Sequence, residues 1–266
     1  MPLISDTEEI SRKLLPIIYV LDTSGSMEGS RIAAVNAAMN ETMEVLKDVS
    51  QKNPTAQLKI AVLQFSSGPQ WVTDELVFME DFYWNDLKAG GLTDFGSALN
   101  ELNNKLSRKQ FLISEVGFKA PVIIFMSDGE PTDDYESALN KIKSNNKWFK
   151  TATKIAIAVG DDANIQVLQK IAGNNEAVIK VDDLESLKKL IRVVSVTAST
   201  IGSKSRTEDN QTESIMSQVE KDMGNDIQIT SDSDISQTDN IQDSSDSWSG
   251  QDVDDSDEPW GDTSWD

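Results

Sequence analysis

Along this chain, apolar runs of strand length alternate with stretches in which apolar residues recur every three or four positions. That alternation is expected of a mainly parallel sheet with helices on both faces, a doubly wound α/β fold. The predicted strands are Ile17 to Leu21, Leu58 to Phe65, a weaker pair around Gln70 to Val72 and Leu76 to Met79, then Val122 to Met126, Ile155 to Val159 and Ala177 to Val181. Runs such as VIIFM and IAIAV have no polar alternation, so they suit central strands covered on both sides. Ile32, Val35, Met39, Met43, Leu46 and Val49 form one apolar stripe, predicting a helix from about Ser30 to Ser50. Shorter helices are expected to start near Asp94, Asp134 and Asn164. A last one, from about Leu184 to Thr200, shows Leu184, Leu187, Leu190, Ile191 and Val194 on one side before Gly202 stops it.

Charge divides the chain at that glycine. Residues 1–202 carry 21 Lys+Arg against 27 Asp+Glu and residues 203–266 carry 3 against 18, so the differences of −6 and −15 make up the net charge of −21. The expected organisation is an N-terminal extension over 1–14, a packed domain over 15–202 and a disordered acidic tail over 203–266, with a short helix around Glu213 to Met223. An acidic balance opposes binding to nucleic acid or to an anionic membrane surface and favours basic partners.

The chain contains no cysteine and no histidine. Disulfide scaffolds, Cys/His zinc sites and nucleophiles that need a histidine base are thereby excluded. No apolar stretch approaches the roughly 18 residues that span a bilayer. The N-terminal PLISDTEEISRK is too acidic for an export signal, and a cytoplasmic location is expected.

The string DTSGS at Asp22 to Ser26 directly follows the run IIYVL and offers one carboxylate and two hydroxyls at alternate positions. Asp22, Ser24 and Ser26 in a locally extended chain would point to one side, with Gly25 giving the backbone its turn. Such an oxygen set suits a hard cation, Mg²⁺ or Mn²⁺. VIIFMSDGEPTDD places Asp128 just past another buried strand, and GGLTDFGSAL puts Thr93 at the entrance to a helix. Loops at the carboxyl ends of central strands meet in a crevice where ligands bind, so the five residues can converge there. Each also has a plain structural role available: Thr93 as an N-cap, Asp128 with Gly129 as a turn pair, Asp22 as a brace, and the serines bonded to local backbone.

Together DTSGS, the threonine of GGLTDFG and the aspartate of MSDGEPTDD resemble the metal-ion-dependent adhesion site (MIDAS) of von Willebrand factor type A (VWA) domains, over about Leu15 to Thr200. LPIIYVLDTSGSMEG, FKAPVIIFMSDGEPTDD and VVSVTAST resemble more narrowly the bacterial TerY-like branch, named for tellurium-resistance operons. The resemblance implies a Rossmann-like sheet and one divalent cation, with Ser24, Ser26 and Thr93 as hydroxyl ligands and Asp22 and Asp128 acting directly or through water. It further implies a non-enzymatic adaptor whose partner offers an Asp or Glu to the metal. The partners implied are a PP2C-type phosphatase and a protein kinase in a stress-response system.

Two other readings compete. Asp22 at the end of a first strand resembles the nucleophile of haloacid-dehalogenase-like phosphatases, but the acid those enzymes need two residues later is Ser24 here. Gly25 and Gly29 ahead of a helix suggest a phosphate site, yet Asp22 and Glu28 would repel phosphate, and neither GxGxxG nor GK[ST] is present.

Phe82, Tyr83 and Trp84 either pack a loop onto the sheet or, with Trp84 exposed beside the cation and Met27 on the same rim, anchor a protein partner. In the tail, Trp248, Trp260 and Trp265 sit among aspartates and serines. That spacing suggests a recruitment arm with phosphate-accepting serines, docking on a basic, grooved partner. A tail carboxylate filling the metal's open position is a second expectation.

Overall fold

The computed structural model describes residues 12–174, 177–181, 183–204 and 211–230. Every predicted strand is present. β1 (Lys13–Asp22), β2 (Ala56–Ser66), β5 (Val122–Ser127), β6 (Thr153–Val159) and β7 (Val178–Val181) run parallel. The short strands β3 (Gly68–Trp71) and β4 (Val77–Phe78) return antiparallel on β2, and β8 (Gln228–Ile229) returns antiparallel on β7. The sheet order is β3-β2-β1-β5-β6-β7-β8, with β4 pairing off that path to β2. Chain progression therefore reverses between the neighbours β1 and β5, the switch point at which α/β sheets open a crevice.

Alternation along β1 shows how the two layers of core are made. Leu15, Ile17, Tyr19 and Leu21 enter one hydrophobic cluster, whereas Ile18 and Val20 enter the other. The first cluster is covered by α1 (Ser30–Lys52), α6 (Leu184–Ser203) and α7 (Gln211–Met223). The second is covered by α2 (Phe95–Lys105), α3 (Tyr135–Asn145), the short α4 (Lys147–Thr151) and α5 (Ile165–Ala172). The apolar stripe expected on α1 faces the core: Ile32, Val35, Met39, Met43 and Leu46 are buried.

Two expectations about the end of the packed body change. Gly202 does not stop α6, which continues to Ser203. A side chain there would meet Val122 Cγ2 at 3.2 Å and the Leu15 methyls at 3.4 and 3.5 Å, so its role is close approach of the helix to the sheet. Residues 211–230 do not belong with a disordered tail. α7 buries Ile215, Met216, Val219 and Met223 in the first cluster, and β8 extends the sheet. The i, i+4, i+8 spacing of Ile215, Val219 and Met223 supplies one apolar face, which a count of acidic residues overlooks; each such buried side chain contributes about 1.5–3 kcal/mol. The tail residues from 231 onward, including Trp248, Trp260 and Trp265, lie outside the described residues.

Candidate metal centre

β1 and β5 pair in register from Ile17↔Val122 to Leu21↔Met126, so Asp22 and Asp128 emerge side by side at their carboxyl ends. Asp22 is 1 % exposed and Asp128 2 %. One Asp22 oxygen accepts from Ser24 N–H at 2.8 Å and the other from the Ser127 hydroxyl at 2.6 Å. Burial raises the Asp22 pKa; the hydrogen bonds from Ser127 and Ser24 pull it back in part, and the charge of Asp128 adds to the upward push.

Ser24 and Ser26 converge by a different route from strand alternation. Residues Gly25–Met27 form a 3₁₀ turn preceded by Ser24, and the two hydroxyl oxygens end 3.0 Å apart. Gly25 has no positive φ. Its N–H donates to Gly91 O at 3.0 Å, and a Cβ would stand 3.3 Å from that oxygen, so a larger residue would press on the contact between loops. Gly90 N–H donates to Thr23 O at 2.8 Å in return. The segment 90–93 is thus laid directly against DTSGS.

Thr93 is 5 % exposed and is not the helix cap. Asp94 holds the cap position of α2 without a side-chain bond, and Asp133 from the third loop caps in its place, accepting from Gly96 N–H at 2.7 Å and Ser97 N–H at 2.8 Å. Thr93 N–H donates to the Thr132 hydroxyl at 3.0 Å and Thr132 N–H donates to Thr93 O at 2.9 Å. The loop after β5 is in this way stitched to the loop that carries Thr93. All three loops of the predicted set are tied together by backbone geometry.

Whether these residues suit a cation is tested by one atom. Asp128 Oδ1 is buried and finds no hydrogen-bond partner among the described residues. Asp128 Oδ2 lies 3.7 Å from an Arg31 guanidinium nitrogen, which serves only half of the carboxylate. A buried orphan carboxylate oxygen on the strand next to a second buried carboxylate, whose own loop clusters two hydroxyls, fits a hard, oxygen-preferring ion. Among the described residues no group of three His, Cys, Asp or Glu side chains could hold a metal; the loops in question carry two buried carboxylates, Asp22 and Asp128, and the hydroxyls of Ser24, Ser26 and Thr93.

Three participants escape sequence reasoning. Ser127 bridges Asp22 and Gly129 N–H, the latter at 2.8 Å, and its signal was a hydroxyl between a buried strand and Asp128. Arg31, one residue into α1, donates to Ser26 O at 3.2 Å and also bonds Asp162 in the loop after β6. That loop was absent from the predicted site. Among the partner-binding expectations, Met27 is fully buried in the core and cannot form a rim. Trp84 is half-buried against the same core, its buried indole nitrogen without a partner among the described residues, and the exposed aromatic of the three is Tyr83, at 72 %. Phosphatase and nucleotide readings gain nothing: Ser24 binds Asp22 through its backbone, and two buried carboxylates face any incoming phosphate.

A family model for the von Willebrand factor type A domain matches residues 17–193. Inter-alpha-trypsin inhibitor heavy chain H6 of Homo sapiens is 27 % identical over 173 residues, covering 62 % of this chain and 13 % of that protein. The chain therefore spans a small part of the length of this relative. Among solved structures, proximal thread matrix protein 1 from the mussel byssus, with its MIDAS motif occupied by zinc, superposes with a TM-score of 0.50 at 17 % identity over 70 % of this chain and 46 % of that one. The pilus adhesin SpaC of Lactobacillus rhamnosus GG, in an open conformation, gives 0.52 at 14 % identity over 77 % and 30 %. At these identities the structures speak for the fold.

Proposed function

The chain belongs to the von Willebrand factor type A domain family, and from that premise we propose that it is a divalent-cation-dependent protein-binding module rather than a catalyst. The observation that supports the proposal is the buried Asp128 Oδ1, which has no hydrogen-bond partner among the described residues and stands on the strand next to the one that carries Asp22. Ser24, Ser26 and Thr93 would offer hydroxyl oxygens, and Asp22 and Asp128 their carboxylates directly or through water. Bound Mg²⁺ or Mn²⁺, left electron-poor by neutral hydroxyls, supplies a position that an incoming Asp or Glu can occupy. Ser127 and the Ser24 N–H hold Asp22 in one orientation for that purpose. Metal and partner affinities are then coupled, each raising the other by one factor.

The narrower setting, a cytoplasmic TerY-like adaptor working with a PP2C-type phosphatase and a protein kinase, draws its support from the resemblance of the three segments quoted above. No described helix is long and apolar enough to cross a membrane. The test is affinity capture on immobilised full-length chain in Mg²⁺, repeated in EDTA and with Ser24→Ala/Ser26→Ala. Partners retained only by the wild type in Mg²⁺ support the proposal. A bound set indifferent to both changes overturns it.

A further inference from the structure

The two poles of the sheet carry opposite charge. Around the candidate metal centre the exposed side chains include Glu28, Glu130, Asp161 and Asp162. α2 and α3 start at that pole and run back to the other, where segments 105–121 and 142–154 each hold four Lys+Arg, against one Asp+Glu in the first and none in the second, a balance of +7 over these segments, with Glu213 the acid beside Lys150 and Lys154. Lys143, Lys150 and Lys154 donate to backbone carbonyls there. Among the described residues Arg108, Lys109 and Lys147 make no ion pair. Lys119 has its pKa lowered, by burial first and by neighbouring Lys13 second.

This basic pole also has a groove and exposed apolar surface. A hollow of about 690 Å³ lies between the ends of α2 and α3, with Leu106, Asn146 and Trp148 in its wall and Arg108 and Lys147 among its lining residues. Trp148 is half-buried, its ring edge-on to Phe118 at 6.5 Å between centroids. Ile113 and Val116, on the loop that meets the start of β1, are 69 % and 39 % exposed.

We infer that the acidic, tryptophan-bearing segment 231–266 of this same chain docks in this groove. Its chemistry is complementary: it has twelve Asp+Glu, no Lys or Arg, and three tryptophans at 248, 260 and 265. Cationic side chains around an apolar, aromatic hollow suit indoles flanked by carboxylates. β8 runs back along β7 so that Thr230 N–H donates to Val178 O, the first residue of β7, which delivers the chain to the basic pole. Trp248 follows Thr230 by 18 residues. A random-coil span of 18 residues is about 21–25 Å, against a domain radius of gyration of about 16 Å. The metal pole, by contrast, presents the exposed acids Glu28, Glu130, Asp161 and Asp162. The docking rests on none of the metal-centre residues.

The chain lacks cysteine, so Asn104→Cys beside the groove and Ser264→Cys in the segment allow resonance energy transfer to be measured in the full-length protein. High transfer is expected at low salt. It should fall at least twofold in 1 M NaCl, where the screening length is about 3 Å, and in Arg108→Glu/Lys109→Glu/Lys147→Glu, whose exposed positions leave folding intact by thermal melt. EDTA should leave it unchanged even if the metal proposal fails. Transfer insensitive to salt and to charge reversal overturns the inference, as does transfer that depends on Mg²⁺. Transfer seen only between singly labelled chains in a mixture also overturns it, assigning the groove to a second copy.

Discussion

Asp128→Asn separates a metal ligand from a structural ion pair. In the metal-free protein Asp128 has one oxygen without a partner and the other 3.7 Å from Arg31, whose side chain is 21 % exposed. An unsatisfied buried acceptor costs about 1–3 kcal/mol, and a partly exposed ion pair returns about 0–1 kcal/mol. The isosteric amide keeps a polar atom at the orphan position but removes a buried charge near Asp22, so metal-free stability is expected to change by no more than about 1 kcal/mol. Mg²⁺ at 100 times its dissociation constant should stabilise the wild type by about 2.7 kcal/mol, or about 5–11 °C in Tm at about 2–4 °C per kcal/mol for a domain of this size. The variant should lose that shift. Thermal unfolding of both proteins in EDTA and across a Mg²⁺ and Mn²⁺ series reads both quantities. A variant that keeps the metal shift would refute the ligand role. One that is several kcal/mol less stable in EDTA would show instead that Asp128 exists chiefly to pair with Arg31.

Four further outcomes follow from particular contacts. Ile215→Ala should cost about 2–5 kcal/mol in chemical denaturation, because α7 is part of the core; a cost below 0.5 kcal/mol would detach that helix. Gly202→Val should cost about 1–3 kcal/mol by overpacking against Val122 and Leu15, an effect a helix-stop glycine would not show at this site. Asp133→Ala removes the cap of α2 at about 0.5–2 kcal/mol and should weaken Mg²⁺ binding by titration calorimetry, since Thr93 is anchored to the same loop. The Asp22 pKa is raised, so in EDTA the stability it contributes is complete below the ordinary carboxyl range and is lost as pH rises through the raised value. Wild-type stability should therefore decline relative to Asp22→Asn as pH climbs above about 4, and parallel profiles would contradict this.

How much of the site was legible depends on where each cause is located. That the loops of Asp22, Thr93 and Asp128 meet was legible because each lies at the end of a strand or the start of a helix, and strands and helices announce themselves by local periodicity. Arg31, Ser127 and Asp162 were not, since their roles consist of bonds to residues remote in the chain. Asp133 capping α2 in place of Asp94 is of the same kind. Met27 was misplaced on the rim because a 3₁₀ turn, rather than an extended strand, rotates it inward.

Periodicity and residue type alone determined the doubly wound sheet, its helices and the oxygen-rich loops, because the period of a strand or helix is a property of consecutive residues. Tertiary structure decided what no local pattern contains. The contact between Gly25 and Gly91, the orphan oxygen of Asp128, the burial of α7 and the gathering of eight basic residues at one pole all require segments far apart in the chain to meet, and only packing against a common sheet brings them together.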